Sequence, residues 1–244
     1  YYAFISNPIT NSKGENTSAI FGFVRTLEEV LKKESPEYMA VAFDLGSDTF
    51  RKENYEDYKA QREASPEDIT KSVPIIKEIL KSYNIPIIGL KGFEADDVIG
   101  TLAKKASREG IEVYMMTSDK DYVQLVDEHI FLYKVGSKSK GNEKWGIEEV
   151  KEKYGISSPK QMIDLLGLMG DSADNIPGCP GIGEKTAQKL LQEYTSIENL
   201  LLHKEEIKPS IQRKLIENEE QIRSSQFLAT IRCDAPIDFN PRVV

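Results

Sequence analysis

Apolar residues in the first two thirds of the chain form short continuous runs that alternate with stretches of helical periodicity. The runs have turn residues around them and the length of buried strands; they are 38–43, 85–90 and 112–116. The stretches with helical spacing between and before them are 19–33, 69–83 and 95–108, the last one ended by Gly110. Such alternation predicts an α/β fold with a mostly parallel central sheet and flanking helices.

The strand pattern fades after about residue 155. The later segments DLLGLMG, KTAQKLLQEY and IQRKLIENEEQI all have helical spacing. We therefore expect an α/β core over 1–155 and a helical subdomain over 156–244. Residues 136–146, GSKSKGNEKWG, predict an exposed, partly basic loop or hairpin between the two parts.

Acidic residues follow each of the three predicted strands. In open parallel sheets, the crevice beyond the carboxyl ends of the strands is the usual ligand site. Carboxylates crowded at this edge raise one another's pKa values and cost stability unless something neutralises them. The six residues concerned are Asp44, Glu94, Asp96, Asp97, Asp119 and Asp121.

Carboxylates at a helix start, such as Asp96 and Asp97, are common by themselves, because the helix dipole favours negative charge there. Their repetition at three strand ends is not explained in this way. Lys120 is the only cation of the sequence beside them, which favours a divalent cation. Ligation by oxygen alone suits Mg²⁺ or Mn²⁺, and the spacing of an EF-hand calcium loop is absent. Two such ions about 4 Å apart promote phosphodiester hydrolysis, which is the leading chemistry.

A glycine-rich segment, GDSADNIPGCPGIGEKTAQKLL over 170–191, adds Asp171 and Asp174 to the acids. Its second half resembles a nucleotide-binding P-loop but carries Glu184 before Lys185, and a helix rather than a strand precedes it. A glycine hairpin between two helices, offering backbone N–H groups to a DNA phosphate, fits better. A plain glycine-rich turn remains the alternative.

Composition predicts a soluble, cytoplasmic protein. No apolar run approaches the roughly 18 residues of a membrane span, and the first ten residues lack the pattern of a signal peptide. Two cysteines and two histidines provide neither a disulfide framework nor a zinc site. The net charge of −8 argues against nucleic acid, unless cations occupy the carboxylates.

Five segments resemble the 5′-3′ exonuclease domain of bacterial DNA polymerase I, a member of the flap endonuclease family. They are VAFD, TFRKENYEDYKAQR, GFEADDVIGTLA, TSDKDYVQL and LMGDSADNIPGCPGIGEKTAQKLL, and they occur in order over nearly the whole chain. The resemblance implies a PIN-like nuclease core and a helical subdomain with a helix-hairpin-helix. It also implies a metal-dependent nuclease that cuts 5′ flaps, nicked duplexes and RNA primers in DNA replication and repair.

The same resemblance assigns roles to individual residues. It implies a first catalytic metal site of Asp44, Glu94, Asp96, Asp97 and Asp119, and a second of Asp121, Asp171 and Asp174. In the helix-hairpin-helix, which grips duplex DNA in the family, often with K⁺, the matching residues are Gly178, Gly181, Gly183, Lys185 and Thr186.

The family's helical arch, which admits single-stranded 5′ ends, matches Phe50–Arg62 within residues 47–70. Its cations and aromatic residues suit phosphates and stacked bases; they are Arg51, Lys52, Tyr55, Tyr58, Lys59 and Arg62. Such a charge run alone is more typical of a solvated amphipathic helix, so only the resemblance favours DNA binding here.

Family members begin with a strand that ends in a metal-binding Asp, followed by a helix that matches YYAF. We therefore expect this chain to start inside that helix and to lack the strand. Two functions remain open: a structure-specific nuclease, or a module of the same fold that binds flaps or junctions without cutting. The presence of both acid sets favours cleavage. We expect a monomer without membrane contact, and a polymerase domain after Val244 is an open alternative.

Overall fold

The computed structural model describes residues 7–46, 48–136 and 141–240. The chain forms two compact units. The first comprises the residues up to Phe43, Glu63–Gly89 and those from Asp238 onward; the second comprises Asp44–Arg62 and Leu90–Ile237. The expected helix at YYAF and residues 137–140 of the expected loop lie outside the described residues. All predicted site residues belong to the second unit.

The helices are α1 (Ser18–Glu34), α2 (Phe50–Asn54), α3 (Glu67–Ser82), α4 (Ala95–Arg108), α5 (Ile147–Tyr154), α6 (Met162–Met169), α7 (Glu184–Tyr194), α8 (Ile197–Leu202), α9 (Pro209–Glu217) and α10 (Glu219–Ala229). The strands are β1 (Val41–Ala42), β2 (Ile87–Ile88), β3 (Val113–Met116), β4 (Ile130–Lys134) and β5 (Glu143–Trp145). Short 3₁₀ turns span Lys120–Leu125, Pro159–Gln161 and Lys204–Glu206.

The first unit packs α1 against α3 beside the parallel pair β1–β2. Val41 pairs with Ile87 and Ala42 with Ile88. Its buried core consists of Leu27, Ile76, Leu80 and Ile85. The apolar runs at 38–43 and 85–90 are therefore confirmed as strands, although only two residues of each have strand pairing.

The second unit contains a three-stranded sheet in the order β3–β4–β5. The pair β3–β4 is parallel and β4–β5 is antiparallel. The sequence predicts β3 and α4 with nearly the observed bounds but predicts neither β4 nor α5. The apolar run of β4, IFLYK, follows β3 after only a 3₁₀ turn, without the helix that usually marks a parallel connection.

After β5, the second unit is helical, as the sequence predicts for its later part. Helix α6 packs against α7 and α10, with Leu165, Leu166 and Leu168 fully buried. The helical pattern over 211–222 is interrupted at Asn218, where α9 ends and α10 begins. Among the described residues, no helix combines the length and the apolar character that crossing a bilayer requires.

The turn between α6 and α7 brings two backbone segments into direct contact. Gly170 has φ +75° and Gly178 has φ +61°, both in the left-handed region. A Cβ at Gly178 would lie 2.2 Å from the backbone nitrogen of Gly170. By contrast, Gly183 has open space around it. Glycine at 178 is therefore required by the fold, whereas glycine at 183 is not.

We expect Gly178→Ala to lower the free energy of unfolding by about 1 to 3 kcal/mol, because the methyl group meets backbone that must shift. Urea unfolding followed by circular dichroism measures this change. The matched control Gly183→Ala should stay within about 0.5 kcal/mol of the parent protein. Equal losses for the two variants would show that the contact at Gly178 does not limit the fold.

Candidate functional site

The start of α4 places three of the predicted acids by helix capping. Glu94 stands at the N-cap, and its backbone N–H donates to Asp97 Oδ2 at 3.1 Å. Asp96 Oδ1 accepts a hydrogen bond from the Tyr122 hydroxyl at 2.7 Å. Asp44 Oδ1 accepts one from the Ala95 N–H at 2.7 Å, which joins the second residue after β1 to the same helix end. The helix N-terminus favours negative charge at each of these positions.

Arg51 is the buried centre of this acidic group, with only 2% of its surface exposed. Its Nη atoms donate to Asp97 Oδ1 at 2.7 Å and to Asp97 Oδ2 and Glu94 Oε2 at 2.8 Å. Burial alone would lower the pKa of Arg51, but the hydrogen bond and charge of Asp97, with the charge of Glu94, outweigh it and raise that pKa. The sequence predicts a DNA-binding cation here; the structure instead gives Arg51 an internal, charge-neutralising position.

Tyr58 and Lys59 also contact the acids. The Tyr58 hydroxyl lies 3.1 Å from Glu94 Oε2 and 3.4 Å from Asp174 Oδ2. The ammonium of Lys59 lies 2.6 Å from Glu94 Oε1 and 3.6 Å from Asp174 Oδ2. Burial, with Glu94 beside it, raises the pKa of Tyr58. Tyr58 is thus a buried hydrogen-bond donor, which differs from the exposed stacking residue that the sequence predicts.

The segment 55–62 folds against the turn 171–175 rather than forming a continuous helix. Of Phe50–Arg62, which matches the arch, only Phe50–Asn54 is helical and residues 56–61 form turns; in the wider range 47–70, Ser47 lies outside the described residues and α3 begins at Glu67. The Lys59 N–H donates to the Asp174 carbonyl at 3.0 Å. Asn175 Nδ2 donates to the Asp57 carbonyl at 2.7 Å. Lys52 is exposed and Tyr55 half-buried.

Two further cations complete the set. Arg62 Nη2 pairs with Asp174 Oδ1, and Lys120 Nζ lies 2.5 Å from Asp171 Oδ2. The sequence argument that Lys120 is the only cation beside the acids is therefore wrong. Arg51, Lys59 and Arg62 reach the acids from a segment distant in sequence, which a linear pattern does not reveal.

Asp121 is the least compensated acid. It is 9% exposed, and its Oδ1 is the one buried side-chain nitrogen or oxygen without a hydrogen-bond partner in the part of the chain that the structure describes. Burial, followed by the charge of Asp119, raises the pKa of Asp121 to about 7. Burial likewise raises the pKa of Asp96 to about 6. Asp119 Oδ1 accepts the Asp121 N–H at 3.0 Å, which keeps the two acids together.

The donor set fits a hard divalent cation, because it consists of oxygens only and includes the unpartnered Oδ1 of Asp121. Within residues 7–46, 48–136 and 141–240, no three His, Cys, Asp or Glu side chains have the arrangement of a metal site. Instead, Glu94, Asp174 and Asp171 are each held in an ion pair, by Lys59, Arg62 and Lys120 respectively.

The glycine hairpin lies between α6 and α7, separate in sequence from the strand-end acids. Gly178 is held from both sides, because its N–H donates to Ser225 Oγ at 2.9 Å and its carbonyl accepts Gln221 Nε2 at 2.8 Å. Gly181, Gly183 and Lys185 are exposed, and Thr186 is half-buried. Lys214, which the sequence analysis does not identify, donates to the Gly181 carbonyl at 3.0 Å.

We expect the contribution of Asp121 to the stability of the metal-free protein to fall as the pH rises from about 4 to about 7. The folded-state pKa of Asp121, about 7, exceeds the unfolded value near 3.9. The folded state therefore binds this proton more tightly and loses its advantage on deprotonation. Asp121→Asn should be more stable than the parent, by a margin at least about 1 kcal/mol larger at pH 8 than at pH 4.5.

Chemical unfolding in the presence of a chelator measures this margin at both pH values. Asp127→Asn is a control of opposite sign, because burial is outweighed by the hydrogen bond and charge of Lys104 together with the N–H groups of His129 and Ile130, which lower the pKa of the Asp127 carboxyl. This variant should be less stable than the parent by nearly the same margin at pH 4.5 and at pH 8, because both values lie above the unfolded pKa near 3.9. A margin for Asp121→Asn that does not change with pH would contradict the raised pKa.

Two family models match consecutive parts of the chain. The model described as 5′-3′ exonuclease, N-terminal resolvase-like domain, matches residues 1–155. The model described as 5′-3′ exonuclease, C-terminal SAM fold, matches residues 157–244. Together they cover nearly the whole chain.

Curated relatives agree with these models. DNA polymerase I of Bacillus caldotenax is 43% identical over 242 residues, which are 98% of this chain and 28% of that protein. DNA polymerase I of Bacillus subtilis is 44% identical over 240 residues, which are 98% of this chain and 27% of that protein. The chain thus spans less than a third of the length of these relatives.

Solved structures share the fold. A structure described as divalent metal ions (zinc) bound to T5 5′-exonuclease has a TM-score of 0.69 at 23% identity, covering 85% of this chain and 79% of that one. The catalytic core of Rad2 in complex with DNA substrate has a TM-score of 0.59 at 18% identity, covering 98% and 77%. From the family models and the sequence identity, we conclude that the chain belongs to the 5′-3′ exonuclease family.

Proposed function

We propose that this chain is a structure-specific 5′ nuclease that hydrolyses phosphodiester bonds in DNA with 5′ flaps, nicks or RNA primers, during replication and repair. One observation carries the proposal: acids from four separate segments share one network of contacts, and within it Asp121 keeps a buried, unpartnered oxygen. Such an arrangement is unfavourable for stability and is typical of a functional site; with cations bound to the carboxylates, it would suit a polyanionic substrate.

The cofactors we propose are two Mg²⁺ or Mn²⁺ ions. Asp44, Glu94, Asp96 and Asp119 would hold one ion, and Asp121, Asp171 and Asp174 the other. Such ions, when bound, lower the pKa of a water and stabilise the charge on the leaving oxygen. Asp97 was assigned to the first set by resemblance, but Arg51, the Glu94 N–H and the Arg232 N–H already surround it. We therefore give Asp97 the role of orienting Glu94.

Lys59 and Arg62 would bind the phosphates of a single strand. Both ion-pair with candidate metal ligands, Glu94 and Asp174, so a phosphate held beside those ligands comes within their reach. Arg62 and Lys52 are exposed, which suits contact with a flexible strand. Tyr58 would hold the two carboxylates in place rather than stack on a base, because it is buried.

The helix-hairpin-helix would bind the duplex. We propose that the backbone of Gly181 and Gly183, with Lys185 and Thr186 in the first turn of α7, contacts phosphates without reading base sequence. Lys214 adds a cation beside Gly181. We also propose that K⁺ binds at the hairpin.

We further propose that the chain divides into an α/β core over 1–155 and a helical subdomain over 156–244.

A non-cleaving module that binds flaps or junctions is the second candidate. The pairing of acids with Lys59, Arg62 and Lys120 favours it, whereas the unpartnered Asp121 oxygen favours cleavage. Because the relatives are named DNA polymerase I, we further propose that the chain works as the nuclease portion of such a polymerase, as a monomer in the cytoplasm.

We expect cleavage to require Mg²⁺ or Mn²⁺ and to stop in EDTA, because the oxygen donors bind hard cations. Incubation of the full-length protein with a 5′-flap duplex labelled at its 5′ end measures the released product. Asp96→Ala should reduce the rate by roughly a hundredfold or more while DNA binding is kept. Cleavage that persists in EDTA would overturn the metal mechanism; flap binding without cleavage in Mg²⁺ would establish the second candidate.

We expect the double variant Lys59→Ala/Arg62→Ala to slow cleavage of a 5′ flap by roughly tenfold or more beyond any loss of affinity for blunt duplex, because these cations bind the single strand. Rates under single turnover and duplex affinities by fluorescence anisotropy give the two quantities. The control Lys71→Ala/Lys81→Ala removes two exposed lysines of α3 and should change neither. Equal losses of flap cleavage and duplex affinity would contradict a specific contact with the single strand.

A further inference from the structure

Glu94, Asp96 and Asp97 at the start of α4 are called the acid cluster below. The segment that follows α10 returns to this cluster and contacts it through backbone atoms. We call residues 228–235 the strap; it consists of the last two residues of α10 and the segment after it. Arg51 Nε donates to the Leu228 carbonyl at 3.0 Å, and Nη2 donates to the Thr230 carbonyl at 2.6 Å. Two of the hydrogen bonds that hold the buried guanidinium thus come from the strap.

The strap also satisfies the carboxylate on the other side of this ion pair. The Arg232 N–H donates to Asp97 Oδ1 at 2.9 Å. The guanidinium of Arg232 lies over the ring of Phe50, 5.1 Å from its centre, and over that of Phe93 at 5.4 Å. Arg232 therefore contacts the residues directly before Arg51 and Glu94, through its side chain, while its backbone contacts Asp97.

Two buried side chains hold the strap in this position. Gln124 Nε2 donates to the Ala229 carbonyl at 2.8 Å, and Gln124 Oε1 accepts the Ile231 N–H at 2.9 Å. Thr101 Oγ1 accepts the Ala235 N–H at 3.1 Å and donates to the Asp97 carbonyl at 2.8 Å. Thr101 therefore links the end of the strap to the backbone of the acid itself.

Close packing leaves the strap little room to shift. A Cβ at Gly100 of α4 would lie 2.8 Å from Ile231 Cγ2 and 3.3 Å from Cys233 Sγ. A buried guanidinium or carboxylate that loses a partner costs far more than an exposed one, so Arg51 and Asp97 keep the geometry that satisfies all partners. The plane of the Arg51 guanidinium, and with it the direction of Glu94 Oε2, is then set in part by the strap.

We propose that the strap is a positioning element for the acid cluster, held by Gln124 and Thr101 and acting through Arg51 and Asp97 on Glu94. Among the described residues, no side-chain hydrogen bond or ion pair joins the strap, Gln124 or Thr101 to the acids that would hold metal, so we expect their effect to pass through Arg51 and Asp97. The inference rests on the proposed nuclease function for its kinetic consequence, but the structural coupling between strap and α4 start is independent of catalysis.

The experiment replaces Gln124 by Met, which keeps the volume and removes both hydrogen bonds to the strap. The matched control is Gln161→Met, because Gln161 is equally buried and also bridges backbone groups, accepting the Ser157 N–H at 2.8 Å and donating to the Thr195 carbonyl at 2.7 Å. Both variants of the full-length protein are assayed well below their unfolding midpoints, for flap cleavage in Mg²⁺ and for amide hydrogen exchange without metal.

We expect Gln124→Met to speed exchange at least fivefold in residues 228–235 and also at 94–97, and to lower kcat about tenfold with KM changed less than twofold. Gln161→Met should lower the unfolding midpoint comparably, with exchange at 94–97 and kcat kept within twofold. The proposal would be overturned if Gln124→Met speeds amide exchange in residues 228–235 but leaves both the exchange at 94–97 and kcat unchanged. Equal kinetic losses in the two variants would also overturn it, since these would reflect stability alone.

A second pair of variants, at Thr101, tests the same proposal with a different substitution. Thr101→Val removes the hydroxyl and should reproduce the effect of Gln124→Met, whereas Thr101→Ser restores the hydroxyl and should recover kcat to within twofold of the parent. Failure of serine to recover kcat would count against the hydroxyl contact. If the parent protein cleaves no flap in Mg²⁺, the proposed function fails, and hydrogen exchange at 94–97 alone then decides whether the strap positions the acids.

Discussion

The ion pair between Arg51 and Asp97 is the interaction on which the second unit depends. Both side chains are almost completely buried, and transfer of two charges from water costs several kcal/mol each, which only close pairing and full hydrogen bonding offset. The groups in this network come from α2, which holds Arg51, from the start of α4, and from the end of α10 and the residues after it. Segments remote in sequence are therefore fixed together by one guanidinium.

The same kind of pairing changes the local charge of the acidic site from what the formal charge of the chain suggests. A net charge of −8 counts every carboxylate as a free negative charge, but Glu94, Asp97, Asp171 and Asp174 each have a cation beside them. Asp96 and Asp121 have pKa values raised by burial. Local charge thus differs from the formal count, and the distribution rather than the sum governs binding.

Sequence patterns predicted much of the fold for a physical reason. Helices α1, α3 and α4 show strong 3.6-residue periodicity, and the runs around β1, β2 and β3 are apolar on both faces, so local spacing suffices. The missed strand β4 has an apolar run of its own but follows β3 without a helix, so it does not fit the alternation of strands and helices. The break at Asn218 lacks a proline or glycine and has no local signal. The acids at the start of α4 were predictable because acidic residues at the N-cap and in the first turn directly precede the apolar helical pattern.

The cations of the site were not predictable in the same way. The cations Arg51, Lys59 and Arg62 occur in a charged stretch whose pattern is that of a solvated helix. Arg51 and the neighbouring Tyr58 are nevertheless buried against acids distant in sequence. Only the tertiary fold shows that these positive charges neutralise the carboxylates. The sequence argument for a metal rested partly on the supposed lack of such cations, so the unpartnered oxygen of Asp121 now supports it instead.

The strap contacts Arg51, Asp97, Gln124 and Thr101 almost entirely through its own carbonyl and N–H groups. Every residue type except proline offers the same two groups. During evolution, these hydrogen bonds therefore survive changes of side chain in the strap, within the limits set by the buried packing of Leu228 and Ile231, provided that its length and path are kept. Insertions or deletions in this stretch should be selected against more strongly than substitutions, and comparison of homologous side chains alone would overlook it.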